Sequence, residues 1–174
     1  MFPQPPQLVP SEICLECPVC CRFPEKNAAL SPFFFPAERL SVDSLPVTGS
    51  FQEKGAGLSS KADLVKCGHG FACSFFNPGD HTCKIYEARP LDCSMYPVVV
   101  MESKDHRSVL LGVDTKCPAL SRREVSANIQ NYLDWIQRYL ESTDLSSMIR
   151  KHPQFISIFQ EEVVEVRKLS LGKA

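Results

Sequence analysis

The sequence predicts a small α+β protein: a cysteine-rich, metal-centred domain with a β-hairpin, followed by two C-terminal helices. Three observations indicate this fold. Nine cysteines lie between Cys14 and Cys117, two apolar runs rich in β-branched residues lie among the last of them, and the C-terminal segment shows helical periodicity. A chain of 174 residues can bury a sizeable core without disulfide staples.

The hairpin is predicted over residues 96–113. Residues 96–101 and 107–113 are apolar and rich in β-branched side chains, and a polar break over residues 103–106 separates them. Two such runs joined by a short polar turn are typical of paired antiparallel strands.

The C-terminal segment predicts two helices. The first has an apolar stripe at helical spacing, formed by Val125, Ile129, Tyr132, Leu133, Ile136, Tyr139 and Leu140. Ser121 and Glu124 form a candidate capping box at its start. Pro153 is predicted to begin the second helix, with an apolar face formed by Phe155, Ile156, Phe159, Val163 and Val166. We expect both helices to cover the cysteine-rich domain, although a partner-binding stripe is an alternative.

We predict three segments along the chain. Residues 1–12 contain four prolines and are expected to form an extended arm. Residues 13–120 form the cysteine-rich metal-binding domain, and residues 121–174 form the helical extension packed on it. Within the domain, residues 41–62 have loop composition, the three adjacent phenylalanines of residues 33–35 are expected in the core, and Pro36 is predicted to begin a short helix.

Composition excludes several classes of function. The net charge of −1 gives no basic surplus, so no nucleic-acid partner is expected. No apolar run reaches the 18 residues of a membrane span, and the N-terminus lacks the pattern of a secretory signal. We therefore expect a cytoplasmic protein with no membrane partner. In that reducing compartment, clustered cysteines bind metals or do redox chemistry more often than they form disulfides.

Four cysteines at CxxCxxCC spacing, Cys14, Cys17, Cys20 and Cys21, indicate a metal centre. Thiolates suit zinc and iron–sulfur clusters. In an extended backbone the side chains of neighbours such as Cys20 and Cys21 diverge, so the two are expected to serve different metals, or one of them to stay outside the coordination sphere.

The spacing leaves the metal open. The later cysteines are too widely separated for a zinc ribbon, although zinc can accept wide gaps. A CxxCxxC run with a remote cysteine before a proline, here Cys117, fits iron–sulfur ligation loosely. The spacing therefore leans slightly to iron–sulfur without excluding zinc. His69 and His81 lie near cysteines, but with nine thiols available they are not needed as ligands.

Arg89 is a candidate for stabilising the thiolate charge. It lies between Cys83 and Cys93, and a guanidinium can donate several hydrogen bonds to sulfur or to a bound anion. Tyr86 and Asp92 are candidates for orienting it. A purely structural salt bridge is the alternative.

The cysteine segments CLECPVCC, FACSFF and CKIYEARPLDCSMYP, with a final CP, resemble the CxxCxxCC family, the zinc- or iron-chelating domain proteins of the YkgJ type. The resemblance covers residues 13–120 and includes the Ile85-Tyr86 pair and Arg89-Pro90. It implies metal chelation by eight cysteines: Cys14, Cys17, Cys20, Cys21, Cys73, Cys83, Cys93 and Cys117. Cys67 lies outside the pattern, so we expect it to be expendable.

These observations predict a metal-binding protein that holds an iron–sulfur cluster, zinc, or both, through eight cysteines, with no established catalytic role. Arg89 and Tyr86 are expected beside the cofactor. Some family members are similar to flagellin lysine N-methylases, so a protein-modifying enzyme is one alternative, and a zinc-stapled interaction module with an unidentified protein partner is another. No nucleotide-binding glycine fingerprint, nucleophile elbow or HExxH motif is present. Whether the protein is an enzyme stays open.

Overall fold

The structure is a computed structural model that describes residues 5–52 and 60–171. Over these residues the predicted α+β class is confirmed, with helices and short antiparallel strands. The chain divides into two compact units. Within the described residues, the first unit comprises Pro10–Ser94, and the second unit comprises residues 5–9 and 95–171. The predicted division of the chain at residues 12 and 120 stays a prediction.

The first unit contains three short helices and seven short strands among its described residues. The helices are α1 (Ser11–Glu16), α2 (Pro36–Asp43) and α3 (Leu91–Met95), the last of which runs to the first residue of the second unit. The strands are β1 (Arg22–Phe23), β2 (Phe33–Phe34), β3 (Ser60–Lys61), β4 (Leu64–Cys67), β5 (Gly70–Cys73), β6 (Phe76–Asn77) and β7 (Thr82–Cys83). Two 3₁₀ turns complete it, Val19–Cys21 and Tyr86–Ala88.

Antiparallel pairing organises these strands. Three of them form a sheet in the order β1-β5-β4. The other four form two separate pairs, β2 with β3 and β6 with β7. In the turn between β4 and β5, Gly68 has a φ of 60°, a left-handed conformation that glycine adopts without a Cβ clash. β5 is central, with Ala72 paired to Arg22 of β1, and its last residue, Cys73, paired to Leu64 of β4.

The phenylalanine segment of residues 33–35 lies in the core of the first unit, as predicted. Phe33, Phe34 and Phe35 are at most 2% exposed, and the ring of Phe34 packs edge-on against Phe51 with centroids 5.0 Å apart. Pro36 begins α2 as predicted, because its fixed φ suits the first helical position and its missing N–H needs no partner there.

The second unit contains the predicted hairpin and a third strand. Its strands are β8 (Val98–Glu102), β9 (Val109–Asp114) and β10 (Val163–Leu169), its helices are α4 (Arg123–Leu140) and α5 (Thr143–Lys151), and its 3₁₀ turns are Pro118–Ser121 and Pro153–Phe155. The sheet order is β10-β9-β8, and all pairs are antiparallel. The hairpin of β8 and β9 is thus confirmed.

The helices of the second unit agree with the sequence only in part. The stripe of α4 is buried at Val125, Tyr132, Leu133, Ile136 and Leu140, as predicted. The capping box is wrong, because α4 begins at Arg123 and the hydroxyl of Ser121 instead donates to the carbonyl of Pro118 at 2.8 Å.

The prediction of a helix after Pro153 is also wrong. The second helix, α5, lies upstream, and residues Val163–Leu169 form β10 against β9. The apolar spacing of this segment suits a helix, but its β-branched valines also suit a strand, and pairing with the open edge of β9 decides between them. None of the helices in the described part of the chain is long and apolar enough to cross a membrane.

The segment predicted as an extended arm has buried residues. Leu8 and Val9 are 8% and 4% exposed in the second unit, and α1 begins at Ser11. Part of the long predicted loop, residues 53–59, lies outside the described residues.

Candidate metal centre

The four cysteines of the opening motif lie on two consecutive turns of the first unit. Cys14 is in α1, Cys17 directly follows the last residue of this helix, and Cys20 and Cys21 lie in the 3₁₀ turn Val19–Cys21. The N–H of Cys17 donates to the carbonyl of Cys14 at 3.3 Å, so the chain turns as it leaves the helix. Tight turns between CxxC cysteines are typical of metal sites.

Cys20 and Cys21 do not diverge. Their Sγ atoms are 3.9 Å apart, because the backbone is a 3₁₀ turn rather than the extended chain assumed from the sequence. Zinc–sulfur bonds of about 2.3 Å in a tetrahedron place two sulfurs about 3.8 Å apart. The expectation that the two side chains point to opposite faces was therefore wrong, and their spacing suits ligands of one ion.

Three more cysteines of the first unit lie within secondary structure, two of them at the ends of strands. Cys73 is the last residue of β5 and Cys83 is the last residue of β7, while Cys93 is in α3. In these positions the backbone of each cysteine is fixed by a ladder or a helical turn.

Electrostatic interactions place these thiols near one another. Burial is the main cause that raises the pKa of Cys14, Cys73, Cys83 and Cys93, and the charge of Cys20 adds to the increase in each case. The pKa of Cys73 rises to about 12. The charge of Cys20 therefore reaches all four of these thiols.

Cys21 and Cys17 complete the group. The hydrogen bond with Cys20 is the main cause that raises the pKa of Cys21, followed by burial and by the charges of Cys20, Cys93 and Cys73. The charge of Cys17 contributes, after burial and Cys20, to the raised pKa of Cys14. We call the seven cysteines the thiol cluster: Cys14, Cys17, Cys20, Cys21, Cys73, Cys83 and Cys93.

Arg89 and Lys84 bring positive charge to the thiol cluster. Arg89 donates a hydrogen bond to the sulfur of Cys14, and its guanidinium lies 4.0 Å from the centroid of the Tyr86 ring. Lys84 donates to the carbonyls of Thr48 and Ser74, each at 3.1 Å. Both cations oppose the effect of burial on the pKa of the neighbouring thiols, so they stabilise thiolate.

The remaining candidates are Cys67, His81 and Cys117. Cys67 ends β4 opposite Gly70, and its side chain packs against the hydrophobic core of the first unit. His81 stacks on the ring of Phe76, with centroids 6.1 Å apart. Cys117 belongs to the second unit, where it is 6% exposed and precedes the 3₁₀ turn Pro118–Ser121. Its role as the eighth ligand stays a prediction.

The donor chemistry of the thiol cluster fits zinc or iron. All nine cysteines of the chain are thiols, and sulfur is the ligand that both zinc and iron–sulfur clusters prefer. Within residues 5–52 and 60–171, no three Cys, His, Asp or Glu side chains have the geometry to hold an ion as they stand.

A family model named CxxCxxCC, described as "Putative zinc- or iron-chelating domain", matches residues 13–159. The match begins one residue before Cys14 and ends between α5 and β10, so it includes every cysteine of the chain. No curated protein matches the sequence, and no solved structure matches it.

Proposed function

Because the chain belongs to the CxxCxxCC family of zinc- or iron-chelating domains, we propose that it is a metal-binding protein whose cysteine thiolates hold zinc, an iron–sulfur cluster, or both. The observation that carries the proposal is the thiol cluster, in which Cys20 raises the pKa of five other cysteines. Seven thiols exceed the four that one zinc ion or one cubane cluster needs, and with Cys117 the eight thiols would match two such centres.

The proposed ligands are the seven cysteines of the thiol cluster and Cys117. A four-thiolate site carries net negative charge, which costs free energy when it leaves water unless donors replace the lost hydration. Arg89 supplies such a donor at Cys14, and Tyr86 lies beneath its guanidinium. When bound, zinc supplies a structural cross-link and an iron–sulfur cluster supplies electron transfer. The proposal assigns the centre no catalytic step.

We place the protein in a reducing cytoplasm and with the YkgJ type of the family. Support for the compartment comes from nine cysteines that are all thiols. Support for the type comes from the shared order of the cysteines and from the Ile85-Tyr86 and Arg89-Pro90 pairs.

Metal analysis of the full chain, purified without oxygen from cells supplied with iron or zinc, tests the proposal. We expect bound zinc, or iron with acid-labile sulfide and absorbance near 400 nm. Cys20→Ser is expected to lower metal content, because Cys20 raises the pKa of five other cysteines of the cluster. Wild-type protein that retains neither metal from either supply overturns the proposed function.

A further inference from the structure

Two carboxylates of the first unit join residues 33–38, which include the three phenylalanines, to α3, the helix that carries Cys93. The backbone N–H of Phe33 donates to Oδ2 of Asp92 at 2.8 Å, and that of Leu91 donates to Oε1 of Glu38 at 2.8 Å. Each segment therefore donates a backbone N–H to a carboxylate of the other. We call this reciprocal pair of hydrogen bonds the carboxylate latch.

The helix that carries Cys93 needs such support. α3 has five residues, and its N–H of Ser94 donates to the carbonyl of Pro90 at 2.9 Å. One turn of helix is not stable alone, since few hydrogen bonds offset the entropy of ordering it. The first N–H groups of a helix have no intrahelical acceptor, and Glu38 supplies one at Leu91.

The other side of the latch is a rigid part of the core. Glu38 uses its second oxygen, Oε2, to accept the N–H of Phe35 at 2.9 Å, so its carboxylate connects the starts of α2 and α3. Phe33 and Phe35 are 2% and 1% exposed, and their rings contact each other with centroids 5.1 Å apart. The latch therefore ties the backbone around Cys93 to packed aromatic residues.

We infer that Glu38 and Asp92 are positioning residues of the thiol cluster, which hold Cys93 where a metal bound by the other thiols can meet it. The identity of the ligand rests on the proposed function. The latch itself acts on Cys93 with or without metal, so it can be tested independently.

Peptide-resolved alkylation of the metal-free full-length protein is the first test. Glu38→Gln removes one of two acceptor oxygens and places an amide donor against a backbone N–H, so one of its two hydrogen bonds is lost. Asp92→Ala is the second variant, because alanine has no side-chain acceptor for the N–H of Phe33, whereas the oxygen of an asparagine would still accept it. Asp63→Asn is a matched control, because Asp63 is also half-buried and accepts the N–H of Leu64 at 2.9 Å. Cys73, outside the latch, is the reference thiol in each chain.

We expect the alkylation of Cys93 relative to Cys73 to rise several-fold in the Glu38 and Asp92 variants and not in the Asp63 control. Local opening at α3 with an intact β5 produces this difference. An unchanged ratio in both variants overturns the inference, and so does a parallel increase at both thiols, since general unfolding shows no specific action on Cys93.

Cobalt(II) loading of the same proteins is the second test. Loss of one thiolate weakens the sulfur-to-cobalt charge-transfer band and shifts the ligand-field bands, changes that a merely structural residue does not cause. We expect the latch variants to show this change and to bind about 10-fold more weakly, while the control matches wild type. Latch variants with wild-type bands and affinity contradict the inference. Wild type that binds neither cobalt, zinc nor iron overturns the proposed function instead, and alkylation then decides on the latch alone.

Discussion

The guanidinium of Arg89 donates a hydrogen bond to the sulfur of Cys14. The two residues lie far apart in the sequence, at the end of a 3₁₀ turn and within α1, and the fold of the first unit brings them together. A permanent cation that donates to sulfur favours the thiolate over the thiol. The thiolate is the form that a metal binds.

Arg89→Ala is therefore expected to weaken metal binding by about 10-fold, the effect typical of losing a group that supports a ligand. The metal-to-protein ratio after challenge with a chelator measures this loss, with folding checked by circular dichroism. Arg107→Ala is the control, because the Arg107 side chain is 85% exposed in the hairpin turn. Equal retention by the two variants would show that Arg89 has only a structural role.

Cys67 and Cys83 are expected to differ sharply in their effect on metal content. Cys67 and Cys83 both pack against the hydrophobic core of the first unit, but only Cys83 belongs to the thiol cluster, where its pKa is raised by burial and by the charge of Cys20. Cys67→Ser should leave metal content unchanged, and Cys83→Ser should lower it. Both are measured by elemental analysis of protein purified in parallel. Comparable losses would mean that Cys67 is a ligand.

The cysteine motif predicts which residues to expect at a metal site, but not how they meet. Spacing indicates Cys20 and Cys21 as candidate ligands, while their 3.9 Å separation depends on a 3₁₀ turn that a pattern of side chains does not encode. Glu38 lies in the first turn of α2, a common position for an acid, which by itself predicts no distant partner. Its second partner, Leu91, is distant in sequence, so no local pattern reveals it.

The stability of the metal-free protein is expected to fall as pH rises from 5 to 8. Burial raises the pKa of Glu38 from 4.5 to about 7, although the N–H groups of Leu91 and Phe35 oppose the increase. The folded state therefore binds more protons than the unfolded state between these values, and the free energy of unfolding decreases with pH by up to about 3 kcal/mol.

Urea unfolding at pH 5 and pH 8 measures this change. Glu38→Gln should reduce the pH dependence. Some decrease of stability with pH should remain in that variant, because burial also raises the pKa of Asp92 to about 6. An identical pH dependence in wild type and Glu38→Gln would refute the assignment.

The valine-rich C-terminal segment shows why the second unit was harder to predict. Hydrophobic spacing alone could not separate a helix from a strand over residues 153–166. The deciding factor is the edge of β9 opposite β8, with which Val163–Leu169 pair. The hairpin of β8 and β9 was predictable because its two runs are adjacent in sequence and joined by a short polar turn.

Gly112 of β9 is expected to be intolerant of a side chain. A Cβ atom at this position would lie 2.2 Å from Cγ1 of Val163 on β10. Gly112→Ala should therefore destabilise the protein by about 1–3 kcal/mol, as is typical of overpacked cores. Thermal unfolding checks this against Gly79→Ala, whose Cβ would meet only Asn77 Oδ1, at 3.4 Å. Similar melting temperatures for both variants would contradict the packing of β10 on β9.

The central claim, that cysteine sulfur holds the metal, is tested most directly by X-ray absorption at the metal edge of anaerobically purified protein. We predict a coordination sphere dominated by sulfur, at about 2.3 Å from zinc or from the iron of a cluster. In the Cys20→Ser variant the sulfur signal per chain should fall. A sphere made of nitrogen and oxygen, or one unchanged by Cys20→Ser, would contradict the account.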